Sequence, residues 1–193
     1  FFDQEHGRLL KEVLGYQGCQ LSVYMPTFRG HTDDVEGDTY VEQVRSYLEV
    51  IDKGMQDDQI LLLKLHPLVQ KGLDLDNYRH IRPFPSELDT YDVLNACDVL
   101  ITDYSSVIYD FANTGRKIIL FAYDLEDYMG HRGMYEDIRS YPFPIAVTPE
   151  EVLSELQEPG GGADREFLDK YCTFDRQKAT RNICRHVLLG KYL

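Results

Sequence analysis

The chain has 193 residues, of which 43% are hydrophobic, so it is long enough to bury a substantial core as one large domain. Its net charge of −13 argues against a nucleic-acid partner and against binding to an anionic bilayer by this chain itself. No apolar run approaches the ~20 residues that span a membrane, and the four cysteines form no C-x-x-C pair. The chain begins with Phe1 rather than Met, and we expect it to be part of a longer protein.

Short apolar runs alternate with amphipathic stretches, which is typical of β-α-β units and a parallel sheet. The strand predicted over 60–65 is apolar at nearly every position, so we expect it to be buried on both faces. The first half of the chain is predicted to contain a helix over 4–14, strands over 19–24, 60–65 and 78–82, and a helix that begins at a capping box from Thr39 to Glu42.

The alternation continues in the second half of the chain. Residues 125–144 are rich in Tyr, Gly, Asp and Arg and are predicted to form a long functional loop with about one helical turn. The other predicted elements are helices over 90–96, from Ser105 or Ser106 to about 113, from Thr148, over 164–171 and over 175–189, and strands over 99–102, 117–122 and 145–147. We therefore predict a single Rossmann-like α/β domain over 1–193, with C-terminal helices appended over 164–189.

Conspicuous polar side chains follow three of the predicted strands. Thr27 and Arg29 follow the first strand, His66 follows the second, and Asp103 with the two serines follows the strand over 99–102. Ligands of open parallel sheets bind outside the carboxyl ends of the strands. Because all three groups fall at that edge, the sequence predicts one ligand site there.

Ser105 and Ser106 join a strand directly to a helix. A helix N-terminus presents unpaired N–H groups and a partial positive charge, so this turn is suited to a phosphate group. The alternative is simple N-capping, which needs no ligand. Neither G-x-G-x-x-G nor G-x-x-x-x-G-K-[ST] occurs in the chain, so dinucleotide oxidoreductase and P-loop chemistry are unsupported.

His66 ends a buried strand and is followed by Pro67. A histidine at this place can act as a base, as an acid or as a hydrogen-bond donor to phosphate near neutral pH. The alternative is a structural ring that bonds a loop carbonyl group. Lys64 lies deeper on the same side of the strand, and we interpret it as structural or solvated.

Two arginines and an aspartate complete the candidate site. Arg29 can grip a phosphate bidentately, and Arg132 lies in a Gly-flanked loop that can close over a pyrophosphate. Asp110, one turn into the helix after the serines, can bond a sugar or glycerol hydroxyl or can merely favour the helix dipole. The alternative for Arg29 is a surface ion pair with Asp33, Asp34 or Glu36.

In these motifs the chain resembles the CDP-glycerol:poly(glycerophosphate) glycerophosphotransferase family of teichoic acid assembly. Any one motif is weak, but five in the right order over about 21–147 form a specific signal. The motifs are Tyr24-Met25-Pro26-Thr27-Phe28-Arg29, Leu65-His66-Pro67, the run from Asp98 to Ser106, Asp110, and Arg132-Gly133-Met134-Tyr135.

The resemblance implies a transferase of GT-B architecture with two Rossmann-like domains, of which this chain is the C-terminal, donor-binding half. The N-terminal acceptor domain is absent from the chain, and the C-terminal helices are implied to pack toward it. The donor is then CDP-glycerol, and the acceptor is a lipid-linked polyol phosphate or disaccharide at the cytoplasmic face of the membrane. The N-terminal domain is implied to supply a second histidine and the membrane attachment, so this chain alone is expected to bind nucleotide without turnover.

The resemblance also implies roles for single residues. His66 matches a histidine held to be catalytic or to bind the donor phosphate, and Ser105 and Ser106 match the phosphate-binding turn. Thr27, Arg29 and Arg132 match positions near the donor, and Asp110 matches an acid that contacts it.

A helix N-terminus, two arginines and a histidine together can neutralise a pyrophosphate, so we expect neither a metal ion nor a cofactor. Three alternatives remain open at this point. The donor can be a nucleotide-sugar used by a GT-B glycosyltransferase, it can be a ribitol phosphate donor, or the chain can be a non-catalytic nucleotide-binding module.

Overall fold

A computed structural model describes residues 3–29, 36–67, 71–134, 136–175 and 178–190. Its centre is a six-stranded sheet in which every pair of neighbouring strands is parallel. The strands are β1 (Gln20–Met25), β2 (Gln59–Leu63), β3 (Ile81–Pro83), β4 (Val99–Thr102), β5 (Lys117–Phe121) and β6 (Ile145–Ala146). The prediction of a Rossmann-like parallel sheet is confirmed.

Helices flank both faces of this sheet. They are α1 (Gln4–Val13), α2 (Glu36–Gly54), α3 (Thr90–Ala96), α4 (Val107–Ala112), α5 (Leu125–His131), α6 (Pro149–Gln157), α7 (Arg165–Tyr171) and α8 (Ala179–Leu189), with a 3-10 turn at Ile138–Ser140. None of the described helices combines the length and apolar character that crossing a bilayer requires.

The spatial order of the strands is β3-β2-β1-β4-β5-β6. The chain therefore builds outward from β1 in one direction and then returns to build outward from β4 in the other. In open α/β sheets this reversal opens a crevice at the carboxyl ends of the two central strands. Met25 of β1 is paired with Thr102 of β4 at this point, so the residues that follow them begin side by side.

The core has two layers because the strands are apolar on both faces. Leu21, Val23 and Leu100 pack on the side of α1, α3, α4 and α7, and all three are fully buried. Tyr24, Leu61 and Ile101 face α2 and α6 on the other side. This burial holds the sheet rigid, so the loops at its carboxyl edge start from fixed positions.

Two predictions about local structure are wrong. The helix after β1 begins at Glu36 rather than at a capping box, and Thr39 lies inside it. Glu42, the expected partner of that cap, instead forms an ion pair with Arg45 one turn further on, at 2.8 Å. The segment 125–144 is also more ordered than predicted, because it contains the two-turn helix α5 and the 3-10 turn.

The last two helices differ in their environment. Phe167 of α7 and the neighbouring Cys172 are buried against the core. In α8 no residue is buried, and Ile183 and Val187 are 63% and 70% exposed.

Candidate functional site

The carboxyl edge of the sheet carries the residues on which the site depends. Thr27 follows β1, His66 follows β2, Asp103 follows β4 and Asp124 follows β5. These four strands are neighbours in the order β2-β1-β4-β5. The predicted convergence of polar residues on one edge of the sheet therefore exists, and it includes one strand more than the sequence indicated.

Asp103 lies at the centre of this edge with a fully buried side chain. Its carboxylate accepts hydrogen bonds from the backbone N–H of Thr27 at 2.9 Å, from the Thr27 hydroxyl at 2.6 Å and from the N–H of Tyr104 at 2.6 Å. An ion pair with Arg29 at 2.8 Å balances its charge. The hydroxyl of Thr27, predicted to face the donor, thus fixes the β1–α2 loop to the β4–α4 turn.

Arg29 connects three loops rather than facing solvent. Its guanidinium donates to both carboxylate oxygens of Asp124, at 2.6 and 3.1 Å, and to the carbonyl oxygen of Thr27 at 2.6 Å. With the Asp103 ion pair, every nitrogen of the guanidinium has a partner, and the side chain is only 13% exposed. Burial by itself lowers the pKa of Arg29, but the hydrogen bonds to Asp124 and the charge of Asp103 raise it above the ordinary arginine value.

The sequence allows two interpretations of Arg29, a residue that grips phosphate or a partner in a surface ion pair. The structure shows a buried pair with Asp103 and Asp124. Asp33 and Asp34 lie outside the described residues, and the side chain of Glu36 is likewise not described.

Asp124 is the site residue that sequence reasoning missed. Besides binding Arg29, it accepts a hydrogen bond from the Tyr104 hydroxyl at 2.9 Å. Tyr104 stacks on Tyr128 of α5 with ring centroids 3.8 Å apart, and the two rings lie 5.0 and 5.3 Å from the Arg29 guanidinium. Burial and the bond to Asp124 raise the pKa of Tyr104. The sequence signal that could have indicated Asp124 is its position just after the strand predicted over 117–122.

His66 lies at the exposed end of the segment that follows β2. Its ring stacks on the ring of Phe28, with centroids 4.3 Å apart and an interplanar angle of 26°. The backbone carbonyl of Phe28 also accepts a hydrogen bond from Arg132 at 3.4 Å. Phe28 therefore contacts both the histidine and the arginine that the sequence predicted, and it brings them to one place.

Arg132 follows α5 and is exposed. Apart from the bond to Phe28, its guanidinium lies 5.9 Å from the centre of the Tyr128 ring. Tyr135, in the same predicted motif, lies outside the described residues. Of the two predicted arginines, Arg132 is thus the one placed to meet a ligand from solvent.

Ser105 and Ser106 form the turn between β4 and α4. The exposed Ser106 occupies the N-cap position but makes no capping hydrogen bond with its side chain. The Ser105 hydroxyl accepts from the N–H of Val107 at 3.4 Å, which is near the limit for a hydrogen bond. Capping of α4 by these two serines is therefore weak, and the hydroxyl of Ser106 does not cap the helix.

Asp110 lies one turn into α4, half-buried, with the Tyr91 hydroxyl of α3 3.5 Å from its carboxylate. Burial raises the pKa of Asp110, and the negative charge of Asp175 adds to the effect. Asp110 thus stands beside the serine turn rather than in the buried Arg29 network.

Lys64 behaves as the structural residue that we expected. Its amine donates to the Thr90 hydroxyl at 3.1 Å and lies 4.1 Å from the centre of the Phe84 ring. Burial lowers its pKa. Lys64 therefore joins the end of β2 to the start of α3.

A cavity of about 450 Å³ opens beside Asp124 at the outer part of the same edge. It is lined by Tyr123, Glu126, Arg139, Ile145 and Val147, among others. Within the described part of the chain, no group of three or more His, Cys, Asp or Glu side chains has the arrangement needed to hold a metal ion.

Comparison with known proteins gives consistent results. The family model for CDP-Glycerol:Poly(glycerophosphate) glycerophosphotransferase matches residues 3–189. The chain is similar to the teichoic acid poly(glycerol phosphate) polymerase of Bacillus spizizenii, with 28% identity over 93% of this chain and 47% of that protein. It is also similar to the teichoic acid poly(ribitol-phosphate) polymerase of the same organism, with 31% identity over 82% of this chain and 26% of that protein.

Among solved structures, the wall teichoic acid polymerase TagF superposes with a TM-score of 0.79 and 28% identity, over 98% of this chain and 48% of that one. A histidine-to-asparagine variant of TagF, soaked with CDPG, superposes with a TM-score of 0.76. This chain therefore spans about half the length, or less, of the proteins that it matches.

Proposed function

This chain belongs to the CDP-glycerol:poly(glycerophosphate) glycerophosphotransferase family, and from that membership we propose that it is the donor-binding half of a transferase that moves glycerol phosphate. The membership confirms the resemblance carried by the sequence motifs. In this proposal the donor is CDP-glycerol, and the acceptor is a hydroxyl group of a lipid-linked, teichoic-acid-type polyol phosphate or disaccharide. The released product is CMP.

The observation that carries the proposal is the meeting of three motifs at one sheet edge. His66 follows β2 and the Ser105–Ser106 turn follows β4, with β1 between them. Neighbouring strands are ~4.8 Å apart, so the two groups start roughly 10 Å from each other. Arg132 reaches the same edge through Phe28. A diphosphate with its two substituents fits a crevice of this width.

In the proposed reaction, the acceptor hydroxyl attacks the β-phosphorus of CDP-glycerol. A new phosphorus–oxygen bond forms to the acceptor, the bond from the β-phosphorus to the bridging oxygen breaks, and that oxygen leaves with CMP. The proton of the hydroxyl passes to a base, and the product is a phosphodiester. Such transfers depend on alignment and on stabilisation of charge more than on covalent catalysis.

The residues divide this work as follows. The N-terminus of α4 and the Ser106 hydroxyl bind the diphosphate, Arg132 balances its charge from the solvent side, and Asp110 bonds a hydroxyl of the donor. His66 serves as an acid, as a base or as a hydrogen-bond donor to a phosphate oxygen. Arg29 organises the loops from within, because all of its nitrogens already have protein partners. We expect these groups to act without a metal ion or cofactor.

The remaining parts of the active site belong to an N-terminal domain in this proposal, as in a two-domain GT-B enzyme. That domain supplies the acceptor site and a second histidine, and it holds the enzyme at the cytoplasmic face of the membrane. The exposed apolar side chains of α8 support contact with such a domain, since Ile183 and Val187 are 63% and 70% exposed.

A ribitol phosphate donor is the second candidate, and the similarity to a poly(ribitol-phosphate) polymerase favours it. Calorimetry of the full-length protein with CDP-glycerol, CDP-ribitol and a UDP-sugar distinguishes the donors. Saturable preference for a uridine donor overturns the proposal in favour of a glycosyltransferase. Binding of CDP-glycerol without turnover, even with acceptor present, favours a non-catalytic module.

The decisive test of catalysis is the substitution His66→Ala in the full-length protein, assayed with CDP-glycerol and a lipid-linked acceptor. We expect CMP release to fall by ~100-fold or more, as for loss of an acid–base group, while the fold survives because His66 is exposed. His80→Ala is not a suitable control, since that ring is buried. His131→Ala is a suitable control, because His131 is exposed and its ring bonds the Asp127 carbonyl of its own helix. Near-normal activity of His66→Ala removes His66 from any essential role.

A further inference from the structure

The aromatic ring of Phe28 stacks on the ring of His66 in the loop that follows β1. We propose that Phe28 is a positioning residue that fixes the orientation of the His66 ring in the transferase. The inference rests on the proposed function, because it assumes that His66 acts on the donor. Phe28 then determines how effectively His66 acts on the donor.

The stacking geometry constrains the imidazole. The ring centroids are 4.3 Å apart and the planes are inclined by 26°, which is close to parallel stacking. Two flat rings in this arrangement cannot rotate independently without losing their contact area. His66 is an exposed residue on the segment after β2, and the face of Phe28 restricts the directions in which its nitrogens can point.

Phe28 can impose this orientation because its own backbone is anchored on both sides. On one side, the N–H and the hydroxyl of Thr27 are bonded to the buried Asp103, at 2.9 and 2.6 Å. On the other side, Arg29 is paired with Asp103 and Asp124. The half-buried ring of Phe28 also packs against the core layer on the α2 side of the sheet. Phe28 thus offers the ring of His66 a face whose position is fixed by the buried network beneath it.

The same residue connects His66 to Arg132. The carbonyl oxygen of Phe28 accepts a hydrogen bond from Arg132 at 3.4 Å, while its side chain stacks on His66. One residue of the β1–α2 loop therefore contacts two groups that come from distant segments. Both of these groups are proposed to meet the diphosphate of the donor.

A purely structural role of Phe28 predicts a different behaviour. If the ring only fills space, Phe28→Leu retains most of the apolar burial and leaves the chemistry intact. If the ring orients His66, leucine removes the flat face that orients the imidazole, whereas tyrosine keeps it. Phe28→Leu and Phe28→Tyr therefore separate the two roles, and Tyr78→Leu is the matched control for losing a half-buried aromatic ring elsewhere.

The first measurement is the NMR spectrum of the His66 ring protons in the full-length protein, assigned with His66→Ala. A ring stacked at this distance shifts those protons upfield. We expect the shift to persist in Phe28→Tyr and Tyr78→Leu and to be lost in Phe28→Leu. An unchanged His66 signal in Phe28→Leu overturns the inference.

The second measurement is steady-state transfer with CDP-glycerol and acceptor. We expect Phe28→Leu to lower kcat by ~10- to 100-fold, the scale of a misplaced catalytic group, with a smaller change in the KM for the donor. Phe28→Tyr restores kcat to within a few-fold of the unsubstituted enzyme. Equal losses in the leucine and tyrosine variants, or full activity in both, overturn the inference.

The inference and the proposed function fail in different ways. If His66→Ala abolishes transfer and Phe28→Leu does not reduce kcat, the proposed function stands and the positioning role is wrong. If His66→Ala retains near-normal transfer, the transferase function stands, but His66 has no essential role and the positioning role of Phe28 in catalysis is wrong. If the unsubstituted full-length protein transfers no glycerol phosphate, the proposed function fails, while the NMR measurement still decides whether Phe28 orients His66.

Discussion

Arg29 shows how much a single side chain can organise. Its bidentate bond to Asp124 joins the first strand to the fifth, and its pairing with Asp103 joins the first to the fourth. Guanidinium suits this task because it offers five donors in one plane, and the rings of Tyr104 and Tyr128 lie 5.0 and 5.3 Å away from it. Lysine carries the same charge but cannot make this set of bonds, so the position requires arginine.

The first prediction concerns Asp124. Asp124→Asn removes a charge that balances buried Arg29 but leaves Asp103 as a partner, so we expect a loss of ~2 kcal/mol in the free energy of unfolding. Urea denaturation of the purified protein measures it. Asp57→Asn is the matched control, because Asp57 pairs with Arg79 at an exposed site and such pairs contribute ~0–1 kcal/mol. Equal effects of the two substitutions contradict a structural role for Asp124.

The second prediction concerns the pH dependence of stability. Burial raises the pKa of Asp110 above its ordinary value of 3.8, so the folded state binds this proton more tightly than the unfolded state. The stabilisation is therefore fully present below pH 3.8 and is lost as the pH rises through the folded-state pKa. Asp110→Asn does not titrate and still accepts from Tyr91.

We expect Asp110→Asn to be more stable than the unsubstituted protein at pH 7, with the difference shrinking as the pH is lowered toward 3.8. Chemical denaturation over this pH range measures the change. Donor affinity at pH 7 is expected to fall in the same variant, because the proposed contact to a donor hydroxyl loses its charge. If the difference in stability between Asp110→Asn and the unsubstituted protein is the same at both ends of the pH range, the pKa of Asp110 is not raised.

At the scale of the helices, the same sequence pattern has two outcomes. Thr148 begins α6 with a complete capping box, in which its hydroxyl accepts from Glu151 N–H at 3.2 Å and Glu151 accepts from Thr148 N–H at 3.2 Å. Thr39 and Glu42 have the same spacing but lie within α2. The difference is Pro149, which is favourable in the first turn of a helix and marks the true start. The sequence pattern of a capping box by itself does not locate a helix boundary.

The third prediction concerns this cap. Thr148→Ala removes the hydroxyl bond, and we expect a loss of ~1 kcal/mol in the free energy of unfolding, while Thr148→Ser retains most of it. The effect reaches the core because Val152 of α6 is fully buried against the sheet. Thermal denaturation of both variants measures the difference. A loss as large in the serine variant as in the alanine variant contradicts the capping role.

The helix α5 shows why the segment 125–144 was predicted to be a loop. Asp124 occupies its N-cap position but makes no capping hydrogen bond, because its carboxylate binds Arg29 and Tyr104. The helix is only seven residues long and contains Gly130, so the local helix signal is weak. A side chain that looks like a loop residue in sequence is committed to a contact 95 residues away.

At the scale of the molecule, the sheet could be predicted from the sequence, but the ion pairs, hydrogen bonds and ring contacts at its carboxyl edge could not. Apolar runs such as those of β2 and β5 mark buried parallel strands directly, and the carboxyl-edge rule placed Thr27, His66 and Ser105 together. The partners of Arg29 come from segments that meet only after the sheet has formed, and no local pattern encodes them. The stack of Phe28 on His66 was hidden for the same reason, since the two residues belong to loops of different strands.

The wide sequence separation of the Arg29 contacts has a consequence for the order of folding. Contacts between distant segments form late, because the chain between them must first be closed. At synthesis rates of ~5–20 residues per second, Arg29 leaves the ribosome roughly 5–20 s before Asp124. Until Asp103 and Asp124 have been synthesised, Arg29 lacks its two carboxylate partners, and the backbone of Phe28 lacks the anchors on either side of it. The Arg29 network at the carboxyl edge of the sheet can therefore be complete only in a chain that has been synthesised past β5.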